Sequence, residues 1–152
     1  IEQIKLLPIP ETEYTITQSG ILALMGIRKN DDIDIIISSK VRKSIFNDQK
    51  HFIKLPGNIE IFEPNRGKFL NVAGKDDDDL INNYSIVVDG IRFLEPRFYF
   101  SRKRKDRDTD ISDWNKIVEF FEKGRDKGYP FNNITEEQWG YQYIKDYIEE
   151  QK

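Results

Sequence analysis

The run Asp32-Ile33-Asp34-Ile35-Ile36-Ile37 limits what this chain can fold into more than any other stretch. Isoleucine is stiff at χ1 and packs well on a pleated surface, so the run predicts a strand over residues 33–37. Alternate residues of a strand share a face, which puts Asp32 and Asp34 on one side and turns Ile33 into the core. Two carboxylates at that spacing repel unless a cation lies between them. Hard oxygen donors of this kind suit Mg²⁺, with Mn²⁺ as an alternative. Ile59-Glu60-Ile61 repeats the apolar, acid, apolar pattern on a second expected strand. Glu60 is therefore the third candidate ligand if the register aligns it, with Glu63 as a competitor.

The neighbouring segments supply a frame for that strand. Residues 1–7 suggest one or two helical turns, stopped by Pro8 and Pro10, and residues 14–17 alternate as a short strand. Ser19 is placed to cap a short helix through Ile21, Leu22, Leu24 and Met25 that ends at Gly26. Ser38 or Ser39 opens another helix to about Phe46, and residues 52–55 and 59–62 form a hairpin about Pro56-Gly57-Asn58. Residues 64–84, with four aspartates at 76–79, read as a long solvated loop with a helical turn near Leu80. Asp89-Gly90 marks a tight turn between residues 86–88 and 91–94, and Pro96 sits at a plausible first helical position.

Ile111, Trp114, Ile117, Val118 and Phe121 recur at helical spacing from Asp110 to Gly124. Thr135 and Gln138 make a capping box for one last helix, whose apolar face is Trp139, Tyr143, Ile144, Tyr147 and Ile148. The expected fold class is α/β in the α+β sense: a mixed sheet with helices on one face, plus C-terminal helices. A length of 152 residues suits a single domain, with a core over about residues 12–123 and a helical extension over about 124–152.

Composition narrows the function. A net charge of −3 does not favour a general nucleic-acid or membrane-surface binder, so any basic site is local. The absence of cysteine removes disulfides, thiolate metal sites and cysteine nucleophiles. No apolar run reaches the length of a membrane span, and the start Ile1-Glu2-Gln3 lacks the order of a signal peptide, so the chain is expected to be soluble and cytoplasmic. His51, the single histidine, stands outside any site motif.

Gln18-Ser19-Gly20, then eleven residues, then Asp32-Ile33-Asp34 and a later apolar strand bearing Glu60, resembles the small DNA polymerase β-like nucleotidyltransferases. The stretch from Ser19 to Arg28 followed by Asp32-Ile33-Asp34-Ile35 is similar to that of the small bacterial and archaeal members. The segments Val88-Asp89-Gly90-Ile91 and Lys105-Asp106 to Asp110-Ile111 resemble their later strand, lysine and helix start. The pair here is Ser-Gly rather than Gly-Ser, and glutamate stands where the third acid is commonly aspartate. The resemblance implies a nucleotidyltransferase fold in which Ser19 and Gly20 touch the triphosphate of an NTP, ATP among them. It implies that Asp32 and Asp34 hold two metal ions and that Glu60 completes the cluster or helps activate the acceptor hydroxyl. Arg28 and Lys105 are the candidate phosphate contacts, with pairing to Asp32 the alternative for Arg28.

The acceptor, whether a small molecule, a protein or an RNA end, is not written in the sequence. A homodimer or partner chain completing the pocket through the C-terminal helices is expected. Two rivals remain. One is a catalytically inactive module of the same fold that binds a protein partner, regulatory or antitoxin-like. The other is a nucleic-acid-binding domain that uses the basic residues at 102–107.

Overall fold

In the computed structural model, the residues described are 2–17, 20–29, 32–64, 76–123, 128 and 131–152. Their strands are β1 (Tyr14–Ile16), β2 (Ile33–Ile37), β3 (Ile53–Leu55), β4 (Ile59–Ile61), β5 (Ser85–Val88) and β6 (Ile91–Leu94). They form one mixed six-stranded sheet in the order β3-β4-β2-β1-β6-β5. The isoleucine-rich β2 lies inside the sheet, antiparallel to β1 and parallel to β4. That burial on both faces is what a nearly continuous apolar run requires. Short-range turn chemistry makes the two hairpins, β3 with β4 and β5 with β6. In the second, Asp89 and Gly90 both take positive φ, 52° and 78°, as a tight two-residue turn demands.

Residue parity sorts the two faces. Ile33, Ile35 and Ile37 enter the main core with Ile59 and Ile61, whereas Ile36 joins Phe62, Leu80, Ile81 and Leu94 in a smaller cluster on the other side. Helices α1 (Glu2–Lys5), α2 (Gly20–Leu24) and α3 (Ser39–Phe46) contribute to the main core through Ile4, Ile21, Leu22 and Val41. So do α5 (Pro96–Phe100), α6 (Asp108–Lys123), α7 (Glu136–Trp139) and α8 (Tyr141–Glu150), through Phe100, Trp114, Ile117, Trp139, Ile144 and Tyr147. Helix α4 (Asp77–Asn83) packs Leu80 and Ile81 on the opposite face. The mixed α/β class therefore stands, but the helices are not confined to one face as the sequence suggested.

Helix α4 also corrects the reading of the four aspartates as a solvated loop, although residues 65–75 lie outside those described. Asp76 caps the helix by accepting the Asp79 N–H at 2.8 Å, and Asp77, Asp78 and Asp79 fill the first turn, where negative charge meets the positive end of the helix dipole. Asp78 reaches further, accepting from the backbone N–H of Ser39 at 3.0 Å and from its hydroxyl at 2.7 Å. Ser38, not Ser39, caps α3 by accepting from Val41 N. Pro96 does open a helix, and the long helix begins at Asp108, two residues before the expected start.

The capping box of Thr135 and Gln138 forms, but the last helix is two. Gly140 breaks it as a left-handed cap with φ of 68°, and a Cβ there would also lie 2.6 Å from Arg97 Cβ and 2.8 Å from Arg97 Cα, so the position requires glycine on both counts. Among the described residues no helix is long and apolar enough to cross a membrane.

Candidate functional site

The register of the sheet decides which acids meet. Asp34 of β2 pairs with Glu60 of β4, and Glu60 pairs in turn with Lys54 of β3. Register partners share a face, so Lys54, Glu60 and Asp34 form a row across three strands, with neighbouring backbones about 4.8 Å apart. On its other side, Asp34 accepts from Thr17: the backbone carbonyl takes the Thr17 N–H at 2.8 Å and its hydroxyl at 3.4 Å. Strand β1 thus ends beside Asp34, and the chain continues from there through residues 18–20.

Burial grades along this row. Glu60 is mostly covered and Asp34 half-buried, while Lys54 stands largely in solvent with its Nζ 3.8 Å from Glu60 Oε1. Asp32 is exposed at the approach to β2. Among the described residues no three His, Cys, Asp or Glu side chains form a group able to hold a metal ion. Register therefore brings Asp34 and Glu60 side by side, and with Asp32 they form no three-acid group among the described residues. Ser19 lies outside the described residues. Gly20 opens α2 against the end of β1, where a Cβ would sit 2.5 Å from Ile16 Cγ2, so only glycine fits without a shift.

A second charged group lies where α5 leads into α6. Lys103 is buried and donates to Asp110 at 3.1 Å and to Asp113 at 2.9 Å. Arg107 donates twice to Asp110, at 2.6 and 3.0 Å, and Arg28 lies 3.7 Å from Asp113. Burial alone would lower the pKa of Lys103, but its hydrogen bonds to Asp113 and Asp110, with attraction to Tyr99, outweigh it and raise the value. The Arg107 guanidinium, helped by Lys103, holds the Asp110 carboxyl well below the usual carboxylate range. Burial raises the Tyr99 phenol, against the pull of Lys103 and Arg28.

Sequence reasoning missed Lys103, Asp110 and Asp113 as a unit, although the signal was present. Asp110 and Asp113 fall on the same helical stripe as Trp114, Ile117 and Phe121, and two acids on a core-facing stripe require a buried cation. Lys105 points elsewhere, with its Nζ 3.2 Å from Glu150 of α8 and 5.6 Å from the centre of the Trp114 ring. Arg104 pairs with Asp106, so Lys103, Arg104, Lys105 and Arg107 each face a carboxylate rather than forming an unneutralised patch. The expected docking face of the C-terminal helices is largely consumed within the chain: Trp139, Ile144 and Tyr147 are buried in its core, and Tyr143 is the exposed member.

Compared with protein-family models, with curated proteins and with solved structures, the chain matches none.

Proposed function

We propose that the chain is a metal-dependent nucleotidyltransferase that moves a nucleoside monophosphate from an NTP to an acceptor hydroxyl. The observation that carries this reading is the register pairing of Asp34 with Glu60 beside the end of β1. Two carboxylates on one face of adjoining strands are a hard-oxygen donor pair of the kind that suits Mg²⁺, although with Asp32 they form no three-acid group among the described residues. When bound, the metal neutralises phosphate charge and aligns the attacking and leaving oxygens.

The chain's own residues do the remaining work. Ser19 and Gly20, which follow β1 in the chain, are assigned to the triphosphate. A carboxylate oxygen of Glu60 takes the proton of the acceptor hydroxyl. The acceptor oxygen then forms its bond to the α-phosphorus as the bond to the bridging oxygen breaks, and pyrophosphate leaves. Of the two cations assigned to phosphate, Arg28 is half-exposed and lies 3.7 Å from Asp113, whereas Lys105 is committed to Glu150.

A second reading, an inactive module that binds a protein partner, is favoured by the contact of Glu60 with Lys54 and by the lack, among the described residues, of a three-acid group able to hold a metal. Isothermal titration with each of the four NTPs, with and without Mg²⁺, separates the two. Metal-dependent binding that disappears in the Asp32→Ala/Asp34→Ala double variant supports the enzyme, and no binding to the unaltered chain overturns it.

A further inference from the structure

Glu60 sits between two unlike neighbours in the row across the sheet. Asp34 of β2 lies on one side, toward β1, and Lys54 of β3 on the other, at the edge of the sheet. The Glu60 side chain is only 20% exposed, yet among the described residues its carboxylate meets one polar partner, Lys54. At 3.8 Å that contact is too long for a hydrogen bond. The Lys54 side chain is 77% exposed, so its ammonium can leave Glu60 for a ligand with little loss of energy. Ser19 and Gly20, assigned to the triphosphate, follow β1, which lies three strand spacings, or roughly 14 Å, from β3.

We propose that the acceptor approaches from the β3 side and is a small anionic alcohol, with its hydroxyl at Glu60 and its negative group held by Lys54. This inference rests on the nucleotidyl transfer proposed above. The hydroxyl gives its proton to Glu60, and its oxygen bonds to the α-phosphorus as pyrophosphate leaves; the negative group is held and does not react. A polyanion such as RNA fits less well. Lys54 stands as a single positive charge beside two carboxylates, and Lys103, Arg104, Lys105 and Arg107 are each paired with an acid.

Glycerol phosphate and glycerol both carry hydroxyls and differ by the charged group, so they serve as the probe pair. Each is titrated into the full chain with Mg²⁺ and the α,β-methylene analogue of ATP, which cannot react, and the backbone N–H signals of Lys54 and Glu60 are followed. Glycerol phosphate should shift both signals at concentrations at which glycerol does not. Lys54→Gln should weaken its binding about fivefold, the scale of one exposed charge contact, and Lys54→Arg should retain it. Lys50→Gln, at an exposed lysine shortly before β3, should change nothing. The inference is overturned if the two probes act alike, or if Lys54→Gln binds glycerol phosphate as the unaltered chain does. It also falls if inorganic phosphate binds as tightly, which would mean an adventitious ion only, or if a ribo-oligonucleotide with a free terminal hydroxyl binds more tightly. Titration with Mg²⁺-ATP alone keeps the two ideas distinct. A chain that binds no ATP loses the proposed function and this inference with it, whereas ATP binding with indistinguishable probes removes the inference alone.

Discussion

Asp34 on β2 and Glu60 on β4 are register partners on parallel strands, so two carboxylates leave the same face of the sheet side by side. Like charges so placed oppose folding, whereas a bound cation turns the same arrangement into an asset.

Asp34→Asn should abolish Mg²⁺-dependent NTP binding in isothermal titration. Thermal melts of the same variant in chelator show whether Asp34 also supports the fold. A melting temperature well below that of the unaltered chain would mean that Asp34 serves the fold rather than a ligand.

Lys103 and Lys105 are two residues apart and should differ sharply. Lys103→Met leaves Asp110 and Asp113 buried without the ammonium between them and should cost about 3–5 kcal/mol in urea unfolding. Lys105→Met removes a half-exposed pair with Glu150 and should cost about 0–1 kcal/mol. Equal losses would contradict the burial described for Lys103.

The depressed pKa of Asp110 gives stability a definite acid dependence. In the unfolded chain this carboxyl titrates near its ordinary value of about 3.9. Its contribution is fully present above that pH and is lost as pH falls toward the lower folded value. Stability should therefore drop below about pH 4, and Asp110→Asn should flatten that part of the curve while lowering the plateau at neutral pH. Thermal melts of both proteins across the acid range provide the comparison.

Gly26 and Gly140 both have positive φ, but only Gly140 faces a neighbour at close range. Gly26→Ala should cost about 1–2 kcal/mol, the penalty of the left-handed conformation alone. Gly140→Ala adds the collision with Arg97 and should cost more than Gly26→Ala, separating α7 from α5. Urea midpoints of the two variants give the difference directly.

What the sequence by itself determined lies within a few residues of each signal. The isoleucines of β2 dictate a strand, Asp89-Gly90 a tight turn, and Thr135 with Gln138 a helix start, because χ1 stiffness, positive φ and side-chain capping are local preferences. Tertiary structure alone decided the rest. Asp34 meets Glu60 because β2 and β4 pair in one register, and nothing near either residue encodes that offset. The aspartates at 76–79 cap and open a helix whose Leu80 and Ile81 pack with Ile36 and Leu94, and that packing joins strands far from them in the chain. Lys103 is buried and Lys105 is not because the carboxylates that receive Lys103 lie on the next helix while the partner of Lys105 lies on the last one. A side chain's type fixes what it can bind, but which partner it finds depends on packing between segments far apart in the chain, and that carries no local signature.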